Sequence, residues 1–242
     1  MSDPPISLAF FDTAHRLYGS ARSGVAVIFD GDDHRVLSDP PELARAGAGW
    51  SAALGEGTEL GLEPGSSPIE IGGGRTWLCR VQGHVEGRPV DCLGAATETS
   101  EPPAWADLDA VRAVLAVFEE GGAVLASARR PHGAGGHGHE IAAGALLEGG
   151  ELRRVDEARI STVYDGDGRQ RSAGLELWLP GEDFPRRGAG SARAGVSLAL
   201  EGLHVHLAMF TWRMEGREGA GTYELTCARR RGRRRELGRY RR

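Results

Sequence analysis

Apolar and polar residues alternate with a period of two along most of the chain, and Gly, Asp and Pro separate the alternating segments. This pattern is typical of antiparallel strands that bury one face. The strands predicted in the first part of the chain are Ser7–Asp12, Gly24–Asp30, Gly49–Leu54, Thr58–Leu62, Arg75–His84 and Pro89–Thr97. The strands predicted in the second part are Arg112–Phe118, Ala123–Arg129, Gly138–Leu147, Ala158–Tyr164, Ser172–Leu179, Ala194–Glu201, Leu203–Met214 and Gly221–Ala228.

A proline-containing break at Glu101-Pro102-Pro103 divides these segments into two successive groups. Tight turns such as Asp165-Gly166 connect the strands as hairpins, because Asp-Gly supplies the positive φ angles that such turns need. We therefore expect an all-β chain of two consecutive antiparallel barrels or sheets. The predicted domains are residues 1–103, residues 104–228 and an arginine-rich tail over 229–242.

The junction between the two groups has a mixed pattern. Trp105, Leu108 and Val111 have helical spacing after two prolines, whereas Val111, Ala113 and Leu115 alternate as a strand does. We expect a short helix near Trp105–Ala110 that passes into a strand.

All 29 basic side chains are arginine, since the sequence contains no lysine. Schiff-base lysine enzymes, pyridoxal-phosphate enzymes and lysine-bearing phosphate loops are therefore excluded. Cys79, Cys92 and Cys227 have no metal-type spacing, and their odd number favours reduced thiols. No apolar run is long enough for a membrane span, and the first residues lack a signal-peptide pattern, so a cytoplasmic protein is expected.

The segment Arg229–Arg242 contains nine arginines and one glutamate, although the net charge of the whole chain is −5. Clustered arginines attract phosphate, so this tail is a candidate for nucleic-acid binding. A solvated tail beside an acidic body accounts for the same pattern. We favour the solvated tail, and we do not expect a nucleic-acid partner.

The stretch Arg129–Glu140 combines a G-x-G-x-x-G pattern at residues 133–138 with three histidines and a glutamate. A dinucleotide loop is disfavoured, because hairpins rather than alternating helices follow the glycines. A metal site is a second reading, with His132, His137, His139 and Glu140 as ligands. The third reading, which we prefer, is a flexible joint that carries the chain from one sheet to the next. We expect no metal and no cofactor.

The predicted strand Leu203–Met214 has one face of histidines and aromatic residues and another of mainly aliphatic residues. A face of this kind suits a ligand cavity, where an apolar wall carries a few polar groups. A carboxylate inside such a barrel has a raised pKa and can act as a general acid. The predicted catalytic residues are Glu176 and His206, and the predicted ligand-binding residues near them are His204, Phe210, Trp212, Trp178 and Tyr223. The alternative is that Glu176, His204 and His206 face solvent, as most polar residues of strands do.

Four further residues of the first group are candidates for the rim and walls of a barrel. Asp12 and Tyr18 follow the apolar start of the first strand, while Trp50 and Trp77 provide large apolar surfaces. A capped strand end and ordinary core packing explain the same residues.

The second group also resembles the carotenoid 1,2-hydratase (hydroxyneurosporene synthase)-like proteins, which have a tandem lipocalin-like architecture. The segments that carry the resemblance are Arg129–His137, Ser161–Arg169, Leu175–Trp178 and Phe210–Glu224, together with Val81–Gly94 in the first group. The resemblance implies two partly open antiparallel barrels, a hydrophobic ligand such as an isoprenoid or a polyketide, and hydration or cyclisation without a cofactor. No catalytic aspartate can be located by motif, so hydratase activity does not carry over.

Three functions follow from these patterns. The first is a cytoplasmic protein that binds a hydrophobic small molecule and hydrates or cyclises it by acid catalysis. The second is a carrier that only shelters such a molecule. The third is an interaction module that uses its arginine-rich tail.

Overall fold

The structure is a computed structural model that describes residues 3–118 and 121–228. Within these residues, nineteen strands form two antiparallel sheets, and the one helical element is a single 3-10 turn at His137–His139. The all-β fold class predicted from the alternation is therefore confirmed. The arginine-rich tail at residues 229–242 lies outside the described residues.

The first sheet is the N-terminal half of the fold. Its strands are β1 (Ile6–Asp12), β2 (Leu17–Arg22), β3 (Val25–Asp30), β4 (Asp33–Val36), β5 (Glu42–Ala46), β6 (Gly49–Ala53), β7 (Glu59–Pro64), β8 (Ile69–Ile71), β9 (Gly74–Val85) and β10 (Arg88–Thr99). They pair in the order β4-β3-β2-β1-β10-β9-β7-β6-β5, and β8 adds to β9.

The second sheet is the C-terminal half. Its strands are β11 (Leu108–Phe118), β12 (Gly122–Pro131), β13 (Ile141–Glu148), β14 (Glu151–Arg154), β15 (Glu157–Tyr164), β16 (Gln170–Trp178), β17 (Arg186–Leu200), β18 (Leu203–Met214) and β19 (Arg217–Ala228). They pair in the order β14-β13-β12-β11-β19-β18-β17-β16-β15.

The two sheets have the same strand order, so the fold contains an internal structural repeat. In each half three strands run outward from the first strand, and the later strands return from the opposite edge to pair with it. Leu8 on β1 lies opposite Ala96 on β10, and Val114 on β11 lies opposite Tyr223 on β19. Each sheet therefore curls into a half-barrel whose first and last strands are neighbours.

The curled sheets enclose two interior cores and share a third between them. Phe10 and Trp50 belong to the core inside the N-terminal half. Phe210 and Tyr223 belong to the core inside the C-terminal half. The third core joins the outer faces of both sheets, with Phe11, Val27, Phe29 and Ile69 from one half and Leu125, Leu147, Leu207 and Met209 from the other. Burial of this shared apolar surface holds the halves together.

Each of the strands predicted from sequence overlaps an observed strand, whereas five strands were not predicted. Strand β2 was missed because Gly19 and Ala21 occupy its inward positions and weaken the apolar alternation. The strands β4, β5, β8 and β14 are short, and β4 is exposed along its whole length. Short edge strands of this kind carry little hydrophobic signal.

The short helix expected near Trp105–Ala110 is wrong. A turn closes there through a hydrogen bond of 2.9 Å from Asp107 N to Ala104 O, and β11 begins at Leu108. Strand pairing takes the next residues, since Ala110 and Val111 face Cys227 and Thr226 on β19. The tertiary sheet thus overrides the local helical spacing.

The three cysteines are free, as expected from their number. Burial raises the pKa of Cys79 to about 11 and that of Cys92 to about 12, and it raises the pKa of Cys227 as well. The thiols are therefore protonated near neutral pH. In the described part of the chain, no helix is long and apolar enough to cross a membrane.

Candidate functional site

A cavity of about 1120 Å³ opens in the C-terminal half, along the free edge of β15. Its apolar lining comes from the inner faces of β13, β15, β16 and β17, with Ala142, Ala158, Ile160, Leu175 and Gly188. Its polar lining on the same side comes from Arg112, His137, Glu140 and Thr162. The remaining lining residues lie on the outer face of β15–β17 and on neighbouring segments. The cavity is therefore open to solvent along the edge strand β15.

Arg112 is the buried cation of this site. It lies on the inward face of β11, which continues with Val114, Ala116 and Phe118. Its Nη2 atom pairs with Glu140 Oε2, and only 3% of each side chain is exposed. Two opposite charges buried in this way neutralise each other, since neither can be solvated by bulk water.

The other nitrogens of Arg112 differ in what they contact. Its Nη1 atom donates to Thr162 Oγ1 at 3.0 Å and to Tyr223 Oη at 3.3 Å. Its Nε atom is buried and has no acceptor. Burial lowers the pKa of Arg112, but Tyr223 and Glu140 outweigh that effect and raise the pKa above its usual value. The site therefore contains a permanent cation with one unused N–H group.

His137 stands at the mouth of the cavity, where Glu140 and Tyr164 hold its ring. Its Nδ1 atom lies 2.8 Å from Glu140 Oε1, and its ring stacks on Tyr164 at a centroid distance of 6.0 Å. Because a carboxylate only accepts hydrogen bonds, Nδ1 is the donor of this contact, and in the neutral imidazole Nε2 is then the nitrogen without a proton. The side chain is 45% exposed. This arrangement is that of a proton-transfer base oriented by a carboxylate.

Tyr164 contributes a neutral phenol beneath the imidazole. Burial, followed by the nearby Tyr223, raises the pKa of Tyr164 to about 12. The stacked ring therefore remains uncharged at neutral pH and supports the position of His137 without competing for its proton.

The glycine-rich stretch was expected to be a joint between the two sheets, and this prediction is wrong. It connects β12 to β13, which are neighbours in the same sheet. Asp109 fixes its start by accepting from Gly133 N at 3.1 Å, and the Asp109 carboxylate lies 3.1 Å from His132 Nδ1. A φ of +77° at Gly133 makes glycine favourable in this turn. The loop delivers His137 and Glu140 to the cavity.

The histidines of this loop separate onto different carboxylates. His132 contacts Asp109, whereas His137 contacts Glu140. Over residues 3–118 and 121–228, no group of three or more His, Cys, Asp or Glu side chains is placed to hold a metal ion.

Phe210, Trp212 and Tyr223, three of the residues predicted to bind ligand, face the interior of the C-terminal half-barrel. Phe210 stacks on Trp212 at 5.3 Å and packs against Tyr223 at 5.5 Å. Trp212 is 1% exposed, and its Nε1 atom has no acceptor. Gly190 leaves the space for these rings, because a Cβ there would lie 2.6 Å from Trp212 Cε3.

The two histidines of β18 lie on the same face of the strand but at its other end. His206 is half-buried, and its Nδ1 atom lies 2.8 Å from Ser197 Oγ. Burial, followed by the charges of His204 and Arg169, lowers the pKa of His206. His204 is exposed. Neither side chain lines the cavity beside Arg112.

Glu176 and Trp178 lie on the outer face of β16, because Leu175 and Leu177 take its inward positions. Glu176 borders the open side of the cavity, and its Oε1 atom accepts from Arg187 Nε at 3.2 Å. Trp178 lies under the Arg159 guanidinium at 4.6 Å. Glu176 is therefore an ion-paired carboxylate at the surface, without the apolar surroundings that were expected to make it an acid.

Asp12, Tyr18, Trp50 and Trp77 all lie in the N-terminal half, away from the cavity. Asp12 accepts from His15 N at 3.2 Å in the turn after β1, and Tyr18 packs against the core shared by the two halves. Trp50 and Trp77 pack together with ring centroids 5.0 Å apart.

Trp50 contacts a second ionic cluster, in which the Glu98 carboxylate is buried and the two arginines are partly exposed. Its Nε1 atom donates to Glu98 Oε1 at 3.2 Å, and Arg45 and Arg75 pair with the same carboxylate. A cavity of about 720 Å³ lies beside this cluster. Glu98 thus has three donors, and the cluster leaves it no unused acceptor oxygen.

Arg112, His137 and Glu140 were not predicted as the site. The inward period of β11 is the signal that could have identified Arg112, because Val114, Ala116 and Phe118 share its face. His137 and Glu140 were considered only as metal ligands. They lie three residues apart in a loop, where neither strand nor helix periodicity predicts which side chains meet.

Solved structures share the fold of this chain at low sequence identity. A candidate AttH from Nitrosomonas europaea superimposes with a TM-score of 0.63 and 14% identity over 92% of each chain. The crystal structure of CghA superimposes with a TM-score of 0.50 and 12% identity over 94% of this chain and 89% of CghA. Both share the lipocalin-like fold of two half-barrels in tandem. No protein-family model matches the sequence, and no curated protein matches it significantly.

Proposed function

We propose that this protein binds a hydrophobic small molecule in the cavity of its C-terminal half-barrel. The observation that carries the proposal is the composition of the cavity: a wall of Ala158, Ile160 and Leu175 meets a buried polar group, Arg112 with Glu140. Ligand sites commonly combine an apolar wall with a few fixed polar groups that orient the ligand.

The unused N–H group of Arg112 implies that the ligand has a polar end. Arg112 lines the cavity, and burial of its Nε without an acceptor costs free energy; a ligand oxygen that accepts from this N–H group, once the side chain turns toward the cavity, removes that cost. The expected ligand therefore has a long apolar part that lies along β15 and an oxygen that reaches Arg112. Isoprenoid- and polyketide-derived compounds have this character, and they are the ligand class that the resemblance to the carotenoid hydratase-like proteins implies.

The cavity of the N-terminal half supports this proposal less well. Its buried carboxylate, Glu98, already accepts at both oxygens from Arg45, Arg75 and Trp50, and within the described residues the buried side-chain polar atoms without a partner all lie in the C-terminal half. The cavity between the two halves is smaller, at about 300 Å³.

Native mass spectrometry of the purified protein, combined with organic extraction, tests for a ligand that copurifies. A titration with geranylacetone, an apolar isoprenoid ketone, tests binding directly through the intrinsic fluorescence of the five tryptophans, of which Trp212 belongs to the core of the same half-barrel. We expect saturable quenching at micromolar probe concentrations.

A pair of matched variants locates the binding. Ala142 lines the cavity on β13, whereas its neighbour Ala143 is exposed on the other face of the strand. Ala142→Phe fills the cavity mouth and should abolish binding, and Ala143→Phe should leave it unchanged. Equal binding by the two variants would place the ligand elsewhere and overturn the proposal.

A further inference from the structure

We propose that His137 is the proton-transfer residue of this cavity, and that its substrate is an apolar carbonyl compound whose oxygen is held by Arg112. Glu140 is the positioning residue, because its two oxygens contact both His137 and Arg112. This inference rests on the proposed function, since the substrate enters the same cavity.

The geometry of Glu140 is the first support. Its Oε1 atom fixes the imidazole through Nδ1 at 2.8 Å, and its Oε2 atom fixes the guanidinium. One buried carboxylate therefore sets the distance between a base and a cation. Nε2 of His137 is the basic atom on one side, and the Arg112 guanidinium, whose Nε is buried without an acceptor, is the cation on the other.

The donor and the base suit a defined chemical step. His137 Nε2 removes a proton from the carbon next to the carbonyl group of the substrate. The electron pair of the broken C–H bond forms a C=C bond, and the carbonyl π electrons move to the oxygen. Arg112 stabilises the negative charge that develops on this enolate oxygen, as fixed donors do at oxyanions.

The return of the proton completes the reaction. The imidazolium gives its proton back to the same carbon, which exchanges or inverts that position, or to a conjugated carbon, which moves the double bond. His137 is regenerated in either case, and no oxidant or reductant is needed. Isomerisation and the first step of a carbanion-type cyclisation both begin in this way.

The loop around His137 supports a role at the surface of the cavity. His137 is flanked by Gly136 and Gly138, and a Cβ at either glycine would meet no atom within 4 Å. The imidazole is 45% exposed, so substrate can reach Nε2 from the open side of the cavity. A residue with only a structural role would gain nothing from this access.

Deuterium exchange tests the inference with the same probe that tests binding. Geranylacetone is incubated with the protein in D₂O buffer, and deuterium at the carbons next to its carbonyl group is measured by mass spectrometry. We expect exchange at least about 100-fold faster than in buffer alone, the low end of the usual contribution of a positioned base.

Two variants separate chemistry from structure. His137→Ala should bind geranylacetone as before and lose the acceleration, and added imidazole should restore part of it, because the deleted ring leaves an accessible space. His139→Gln, an exposed residue of the same loop, is the matched control and should behave like the wild type.

Each outcome decides the matter. If the wild-type protein binds the ketone but does not accelerate exchange, or if His137→Ala exchanges at the wild-type rate, the inference is overturned and the proposed function stands. If the wild-type protein does not bind the ketone, both are overturned.

Discussion

Arg112 and Glu140 form an ion pair inside the C-terminal half-barrel, with only 3% of either side chain exposed to solvent. The pair joins β11 to the residue before β13, a strand of the same sheet. A buried pair of this kind adds little net stability over an apolar pair, because removal of two charges from water offsets their attraction. Its position beside a cavity therefore favours a role in binding.

Substitution of one partner should show how desolvation of the two charges compares with their attraction. Glu140→Leu leaves the Arg112 charge buried without its carboxylate and should lower the free energy of unfolding by about 3–5 kcal/mol. The double variant Arg112→Met with Glu140→Leu should recover most of that loss while binding geranylacetone poorly. Urea unfolding measures both. A double variant as unstable as Glu140→Leu would show that the pair itself stabilises the fold.

The ionic cluster of the N-terminal half predicts a pH dependence of stability. Burial raises the pKa of Glu98, but hydrogen bonds from Arg45 and Trp50 and the charges of Arg45 and Arg75 outweigh it, so the pKa lies below its usual value. The unfolded chain then binds a proton at a higher pH than the folded chain does. The resulting stability is present above the unfolded pKa, about 4.3, and is lost as pH falls through the folded pKa.

Glu98→Gln should flatten this part of the stability profile. Urea unfolding between pH 5 and pH 2.5 measures it, and Glu151→Gln, an exposed glutamate on β14, is the control. The control should keep the wild-type slope. A Glu98→Gln profile as steep as that of the control would refute the assignment.

Gly221 should not tolerate a side chain. A Cβ at this position would lie 1.9 Å from Leu115 O and 2.8 Å from Ala116 Cα, both backbone atoms of β11. Gly221→Ala should therefore separate β19 from β11 and cost about 1–3 kcal/mol.

Gly61 on β7 is the matched strand control for Gly221. A Cβ there would meet only Gln82 O, at the ordinary contact distance of 3.8 Å. Gly61→Ala should be neutral or stabilising by up to about 1 kcal/mol, because alanine loses less backbone entropy on folding. Thermal unfolding measures both variants, and equal melting temperatures would contradict the prediction.

The fold could be predicted from the sequence because each long strand buries one face. The segment predicted as Leu203–Met214 is β18 with the same bounds, since its two faces pack in two different cores. The short helix near Trp105 was wrong because helical spacing over a few residues cannot outweigh pairing with β19. Local pattern thus determines strands that are long and half-buried, and it fails where pairing partners decide.

The candidate site was harder to predict, because it depends on contacts between distant segments. Phe210, Trp212 and Tyr223 could be placed on an inner face by alternation alone. Alternation with Leu175 and Leu177 places Glu176 on the outer face, but its ion pair with Arg187 depends on the register between β16 and β17, which the pattern does not report. The contact between Arg112 and Glu140 joins a strand to a loop, and only the folded chain brings them together.

The two half-barrels should unfold as one cooperative unit, held together by apolar packing rather than by charge. Phe29 on β3 is fully buried in the core that both sheets share. Phe29→Ala should cost about 3–5 kcal/mol. The Arg22–Glu224 ion pair also joins the halves, at 3.0 Å, but its side chains are 33% and 24% exposed. Arg22→Ala should therefore cost no more than about 1 kcal/mol.

Hydrogen exchange monitored by mass spectrometry distinguishes one cooperative unit from two. In Phe29→Ala, the slowest-exchanging peptides of β1–β10 and those of β11–β19 should lose the same amount of protection, although the substitution lies in the N-terminal half. Arg22→Ala serves as the control and should leave both sets near the wild-type rate. Loss of protection confined to the N-terminal peptides of Phe29→Ala would mean that the C-terminal half-barrel is stable without its neighbour.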